Sequence, residues 1–322
     1  MADSRNRPST DAVTQAVAAC LSHHARPGDS VAVAYSGGLD STVLLHAAHS
    51  VEVAAQLEVS ALHVHHGLSC NADAWANSCS ALCSQLGIPI EIRRVAVPAR
   101  SGEGTEAAAR RLRHRVFSDH SADWILLAHH ANDQAETVLH NLMRGAGVRG
   151  AAAMPPVRGK LLRPLLNLGR DVLETYAEVQ GLTWVDDESN KDLRYTRNFL
   201  RHETIPAIAS RFPQARAQLA AAAAHFAEAD ALLEELAALD LGTLRPEFPL
   251  PLALFRQLSD ARARNLLRAM LGWHKLQPPD ERRMKEFVRQ LRTAGIDRHP
   301  RLDLASYALR CSAGSLHLSM PD

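Results

Sequence analysis

The chain of 322 residues has no run of about 20 unbroken apolar residues, so nothing in it reads as a membrane-spanning helix. Its opening, MADSRNRPST, contains an acid and no apolar segment of the kind that export signals carry. A cytoplasmic protein with no membrane partner is expected. Cysteine is scarce: Cys20, Cys70, Cys79, Cys83 and Cys311 are odd in number, with no CxxC pair and no repeated metal-ligand spacing. These absences argue against a disulfide framework and for reduced thiols. The nearest approach to a metal cluster, Cys70, Cys79 and Cys83, lacks a fourth ligand. There is no internal repeat and no low-complexity tail. Net charge is small, at +1, but unevenly spread. Residues 1–244 carry 22 Lys and Arg against 27 Asp and Glu, whereas residues 245–322 carry 14 against 8. The basic C-terminal portion leaves room for a polyanionic partner.

What the chain does have is apolar content, 46% of residues, enough for a large core and two or three domains. Helical spacing over 11–24 stops at Pro27 and Gly28, and the buried strand VAVAY (31–35) follows. The alternation repeats through helix 41–49, strand 59–66, helix 72–86, strand 90–97, helix 105–119 and strand 123–130. Strands separated by such helices pair in parallel through right-handed crossovers, which predicts an α/β fold with a doubly wound parallel sheet covered on both faces. Residues 144–166 are rich in Gly, Pro and Arg and read as irregular chain wrapping the sheet edge. A helical pattern returns at 169–180, and residues 214–239, with alanines at 220–224, form a long helix by propensity. Beyond the proline-broken joint RPEFPLP (245–251), two helices and two β-like runs, RLDLASYALRCS and SLHLSM, predict a small α+β domain. The expected division is an N-terminal domain over 1–213, a linker helix over 214–244 and a C-terminal domain over 245–322.

Ligands of open α/β sheets bind beyond the carboxyl ends of the strands, and the chemically unusual residues collect there. SGGLDS follows the first strand, His65 and His66 end the second, and His129, His130, Asn132 and Asp133 follow the fourth. In SGGLDS two glycines allow a sharp turn, and Asp40, Ser41 and Thr42 open a helix whose free N–H groups point into that turn. Paired glycines and the Ser36 and Ser41 hydroxyls suit pyrophosphate, and an aspartate among them fits if Mg²⁺ accompanies the phosphates. The loop is not GxxxxGK[ST], which would bring a lysine. The alternative is a plain turn with Ser36 as a helix cap. The four histidines suit ligand contacts or hydrogen bonds better than zinc, whose sites use a tighter, fixed spacing.

VAVAYSGGLDSTVLL resembles the SGGxDS signature of the ATP pyrophosphatases, whose fold is of the adenine nucleotide alpha hydrolase type and which adenylate an oxygen of their substrate. LHVHHGLS, TEAAARRLRHRVF, LLAHHANDQAETVLHNLMRGAGVRGAAAMPPVR and WVDDESNKDLRYTRNFLRHETIPAI then resemble the bacterial tRNA(Ile)-lysidine synthases, in the family's order, over most of residues 30–215. DESN followed by RNFLR is the most discriminating segment. The resemblance implies that the N-terminal domain is catalytic and that the C-terminal one binds tRNA. The implied partners are tRNA(Ile) with a CAU anticodon and free L-lysine, with ATP as co-substrate. O2 of the wobble cytidine attacks the α-phosphate of ATP, and the lysine side-chain amine then displaces AMP from C2.

For that chemistry Ser36, Gly37, Gly38, Leu39, Asp40 and Ser41, with Arg110 and Arg113 one helical turn apart, are expected to hold ATP, and Asp40 and Asp133 to hold Mg²⁺ and act in catalysis. Asn132 is expected to cap a helix starting at Asp133, which puts Asp133, Glu136 and His140 on one face. Asp133 and Glu136 are then the expected lysine ligands and proton acceptors. Arg144, Arg149, Arg163, Arg194, Arg197 and Arg201 are expected on the tRNA, with the C-terminal cations Arg262, Arg264, Arg268, Arg282, Arg283 and Lys285 along its phosphates. Many lysidine synthases carry two small domains after the catalytic one, and this chain ends after the first, as a short form or a truncation. The alternatives are tRNA 2-thiolation, which needs a sulfur-delivering cysteine not found here, and a nucleotide-binding stress-type module without turnover. The sequence leaves the oligomeric state open, a homodimer included.

Overall fold

The computed structural model describes residues 11–69, 71–98, 104–185, 192–293 and 299–320. Cys70 and the DESN residues 187–190 lie outside the described residues. The chain divides into two compact units, Met1–Ala227 and Glu228–Asp322.

The first unit is built on a six-stranded sheet of β1 (Ser30–Ala34), β2 (Glu58–His65), β3 (Ile90–Arg94), β4 (Trp124–Leu126), β5 (Val157–Arg158) and β6 (Leu161–Leu162), in the spatial order β3-β2-β1-β4-β6-β5. All neighbours run parallel except β5 and β6. Buried parallel strands need apolar residues on both faces, and β1 supplies them with Val31, Ala32 and Val33, all fully buried. Val31 and Val33 pack into one cluster with α1 (Asp11–His24), α2 (Leu39–Ala55), α3 (Ala72–Leu86) and α7 (Arg170–Val179). Ala32 turns to the opposite face and joins Leu62, Ile125 and Phe117 of α4 (Thr105–Asp119). The sheet is therefore doubly wound, as expected. The stretch read as irregular differs: it contains α6 (Val148–Ala151) and the strands β5 and β6, which extend the sheet beyond β4. Strands of two residues carry no legible alternation, and their pairing with Ile125 and Leu126 is tertiary.

Residues 196–211 are continuously helical as α8 (Thr196–Phe199), a π-helical turn (Leu200–Thr204) and α9 (Ile205–Arg211). The long helix α10 (Ala215–Leu241) runs through the division between the units. The second unit continues with β7 (Leu250–Pro251), α11 (Leu252–Gln257), α12 (Asp260–Trp273), α13 (Glu281–Thr293) and the strands β8 (Arg301–Asp303), β9 (Ala308–Ser312) and β10 (Ser315–Ser319). Its sheet is antiparallel, in the order β7-β10-β9-β8. RLDLASYALRCS thus holds two strands rather than one. Met284, Phe287, Val288 and Leu291 form the apolar stripe of α13 at helical spacing and pack with Phe255, Leu267 and Leu309. Among the described residues no helix is long and apolar enough to cross a membrane.

Candidate active site

The chain steps from β1 to β2 and β3 on one side and places β4, β6 and β5 on the other, so the strand order reverses between β1 and β4. A crevice opens at such a switch point. SGGLDS leaves the end of β1 and HHAND leaves the end of β4, which brings two segments 90 residues apart to its two walls.

On the first wall, Gly37 turns at φ +88°, and its carbonyl accepts the Val185 N–H at 2.9 Å. A Cβ there would stand 2.9 Å from Cys79 Sγ, so the loop lies directly on α3. Ser41 Oγ lies 3.0 Å from Ser36 Oγ and donates to the Gly38 carbonyl at 3.0 Å, which Thr42 Oγ1 also reaches. Gly38 is the N-cap of α2 and supplies no side-chain cap, so Ser36 is not the helix cap. The first N–H groups of α2 have no intrahelical acceptor. Asp40 sits in this turn with Oδ1 buried and without a hydrogen-bond partner.

On the second wall the helix expected to start at Asp133 starts at Ala131, as α5 (Ala131–Met143), and its N-cap is His130 rather than Asn132. His130 Nδ1 accepts the Asn132 N–H at 3.2 Å, and Asp133 Oδ2 accepts the His130 N–H at 3.1 Å. This reciprocal capping closes the turn two residues early. Asn132 is left to accept the Arg170 N–H at 3.3 Å.

With Nδ1 accepting, a neutral His130 ring carries its proton on Nε2. That atom faces Asp40 Oδ2 at 3.6 Å and Asp133 Oδ2 at 3.5 Å. His130 therefore joins the two walls. Burial alone would push its pKa down, but Asp40 and Asp133 outweigh burial and raise it. For Asp133 burial is likewise the largest influence and is overcome by His130, His129, Arg197 and Arg201, which hold the carboxyl below its usual range.

Asp133 and Glu136 share a face of α5 as expected, and both are buried, Glu136 at 2% exposure. Neither is a bare acid. Arg201, on the π-helical turn, donates to Glu136 Oε1 at 2.6 Å and Oε2 at 3.0 Å and to Asp133 Oδ1 at 2.9 Å. Arg197 reaches Glu136 Oε2 at 3.3 Å and Thr137 Oγ1 at 3.1 Å. Arg197 and Arg201 thus point into α5, while Arg194 is exposed and paired with Asp192 at 2.7 Å.

Arg110 and Arg113 gather with Arg158 and Arg163 around His114, whose pKa falls to about 4 through burial and those four cations. Arg163 is buried, donates to His129 Nδ1 at 3.3 Å and to the Pro155 carbonyl at 2.7 Å, and is pushed down to about 10 by burial, Arg158 and Arg110. Arg113 also lowers His66 to about 4, after burial. Arg144 and Arg149 are exposed, at the C-terminal end of α5 and on α6.

A cavity of about 150 Å³ adjoins Glu136 and His130, lined also by Arg170, Arg201, His202 and Arg216. Sequence reasoning named neither Arg170 nor Arg216, because no local pattern ties them to α5. His130 was legible as a strand-end histidine, but not as the bridge between Asp40 and Asp133. The four described cysteines are unsuited to nucleophilic work: burial pushes Cys20, Cys83 and Cys311 up to about 11 and Cys79 to about 12.

Residues 9–208 match the PP-loop domain family, and residues 250–317 match the TilS substrate binding domain family. The tRNA(Ile)-lysidine synthase of Nitrosomonas europaea is 42% identical over all of this chain and 72% of that protein. The Pseudomonas aeruginosa enzyme of the same name is 47% identical over 88% of this chain and 67% of its own length. Among solved structures, the U34-tRNA thiolase NcsA of Methanococcus maripaludis, described with its [4Fe-4S] cluster, shares the fold at TM-score 0.55 and 17% identity, over 68% of this chain and 78% of that one. A shared fold at that identity does not transfer a reaction. Two domain matches in order, together with identity above 40% along the chain, establish that it belongs to the tRNA(Ile)-lysidine synthase family of PP-loop enzymes.

Proposed function

We propose that the protein ligates free L-lysine to C2 of the wobble cytidine of tRNA(Ile) with a CAU anticodon, driven by cleavage of ATP to AMP and pyrophosphate, in the cytoplasm. The observation that carries the reading is the crevice in which a glycine loop and an aspartate with an orphaned buried oxygen face a histidine and a second aspartate.

In the first step cytidine O2 bonds to the α-phosphorus and pyrophosphate leaves. In the second a nitrogen–C2 bond forms, the C2–O2 bond breaks, AMP departs with that oxygen, and the nitrogen gives up a proton. The free N–H groups at the start of α2, with Ser36 and Ser41, receive the leaving pyrophosphate. Mg²⁺ fits this wall, because it binds through one or two carboxylates plus substrate phosphates, and Asp40 Oδ1 is an oxygen in need of a cation. Asp40, with Asp133 across the crevice, would hold it, and the ion would offset phosphate charge.

Arg110 and Arg113 supply positive charge for the α-phosphate, and the partial burial of His66 and His114, which keeps both rings neutral, leaves that charge to the arginines. Asp133 takes the proton from the amine. Glu136 faces the cavity while Arg197 and Arg201 fix its carboxylate, so these two arginines serve the site rather than the RNA. Arg144, Arg149 and Arg194 are exposed and remain for the anticodon backbone, whose unstacked wobble base can enter the crevice, whereas Arg163, expected on the tRNA, is buried against His129 and the Pro155 carbonyl and belongs to the site. The high thiol pKa values favour lysine over sulfur transfer.

Mass analysis of nucleosides from isoleucine tRNA, after incubation with ATP, Mg²⁺ and lysine, tests the reading. Lysidine in place of the wobble cytidine is the expected product. A sulfur-containing base, or no pyrophosphate release with tRNA and lysine present, would reject it.

A further inference from the structure

We propose that the cavity between α5, α7, the π-helical turn and the start of α10 receives the α-carboxylate of the amino-acid substrate, and that Arg216 is the residue that binds it. The inference rests on the lysine-ligating reading above and adds which end of lysine enters where.

Among the described residues the cavity is lined by three guanidinium groups, Arg170, Arg201 and Arg216, and one acidic side chain, Glu136. Two of these cations are already engaged. Arg201 is spent on Glu136 and Asp133, and Arg170 pairs with Glu174 at 3.0 Å. Arg216 has no hydrogen-bond or ion-pair partner among the described residues. Glu136, in turn, is neutralised by Arg197 and Arg201. The balance of charge among the described lining residues is positive, so the cavity draws in a group that carries an anion. A planar guanidinium matches a carboxylate in two-point geometry.

Size narrows the anion. About 150 Å³ lies well below the roughly 300 Å³ at which pockets begin to enclose drug-sized ligands. A nucleotide does not fit, whereas the head of an amino acid does. His130 lines the same cavity and faces Asp40 and Asp133 on its other side. A lysine with its carboxylate on Arg216 therefore has its α-ammonium beside Glu136 and Asn132, and its side chain runs past His130 toward the crevice. The ε-amine, the group that must reach C2, is then the end that meets Asp133.

The test compares lysine with 1,5-diaminopentane, which carries the amines without the carboxylate, as acceptor in the full reaction with ATP, Mg²⁺ and isoleucine tRNA. In Arg216→Ala the KM for lysine is expected to rise roughly tenfold to a hundredfold, the scale of one charge-assisted hydrogen bond. The KM for ATP holds and use of 1,5-diaminopentane is unaltered, so the preference between the two acceptors collapses. Arg216→Lys, which keeps the charge, recovers part of that preference and guards against a folding defect in the alanine variant. An unchanged lysine KM in Arg216→Ala, or a parallel loss for both acceptors, overturns the assignment. Absence of any lysine-dependent product in the parent enzyme would instead refute the lysine-ligating reading and this proposal with it.

Discussion

Replacing Gly37 by alanine brings two separate costs together at one methyl group. The first is conformational: at φ +88° an L-residue is in the left-handed half of the map, where the penalty is about 1–2 kcal/mol. The second is contact. The new Cβ stands 2.9 Å from Cys79 Sγ, and Cys79 is fully buried on α3, so the sulfur cannot swing into solvent. Overpacking of that kind costs about 1–3 kcal/mol. Together they predict a loss of about 2–5 kcal/mol, read as a lower urea midpoint. Cys79→Ala removes the sulfur but leaves the φ, so in the double variant the contact part is relieved and the conformational part of about 1–2 kcal/mol persists. Pyrophosphate release should follow the same order, because the displaced loop carries Ser36 and the Gly38 cap. A Gly37→Ala protein within about 0.5 kcal/mol of its parent, the range of neutral surface changes, would refute the reasoning. So would a penalty of the same size with and without Cys79.

Asp40→Asn removes the charge beside the phosphate loop and should slow tRNA-dependent pyrophosphate release by about 10²–10³-fold, the scale of one group acting on developing charge, with a higher Mg²⁺ requirement; an unchanged Mg²⁺ titration would count against its role. Arg201→Met leaves the buried Glu136 with Arg197 alone. A buried pair costs about 3–5 kcal/mol to break, but Arg201 is a quarter exposed, so about 2–4 kcal/mol is expected from denaturation, with Arg201→Lys losing less. Folding should also weaken in acid: His66 and His114 titrate near 4 in the folded chain against about 6.5 unfolded, so the unfolded state binds more protons between those values. This contribution to stability is full above about pH 6.5 and falls as the pH drops toward 4; a urea midpoint flat across that window would contradict the half-buried neutral rings.

The doubly wound sheet was legible because buried parallel strands are apolar runs and their crossover helices carry a 3.6-residue period, as in β1 and α1. Boundaries were less so at the fourth strand, read over 123–130 and observed as Trp124–Leu126. There the chain peels away so that His130 can cap α5, an event decided by the reciprocal hydrogen bonds of His130 and Asp133 rather than by propensity. In the site, SGGLDS and HHAND were readable because each is contiguous and each follows a strand. Arg197 and Arg201 were readable as charges but not as to direction, since their partner Glu136 lies some 60 residues upstream. Arg216 left no sequence signal, because the cavity that gives it meaning is assembled from elements far apart in the chain.

The same limit governs the C-terminal charge. A net excess of cations over residues 245–322 suggests a surface open to phosphates, yet several of those cations are already paired. Arg268 and Lys285 meet Glu281, Arg289 meets Glu286, Arg292 meets Asp260 and Arg301 meets Asp303. These pairs are largely exposed, and such pairs contribute about 0–1 kcal/mol each, so a phosphate can take the guanidinium from its carboxylate with little loss. Arg262 is of a different kind. Its partner Asp240 has a fully buried carboxylate, and withdrawing the guanidinium would strand that charge away from water. Arg262 belongs to the framework of the C-terminal unit, whereas Arg245, Lys275, Arg282 and Arg310 have no side-chain partner among the described residues and would meet a phosphate without breaking a pair.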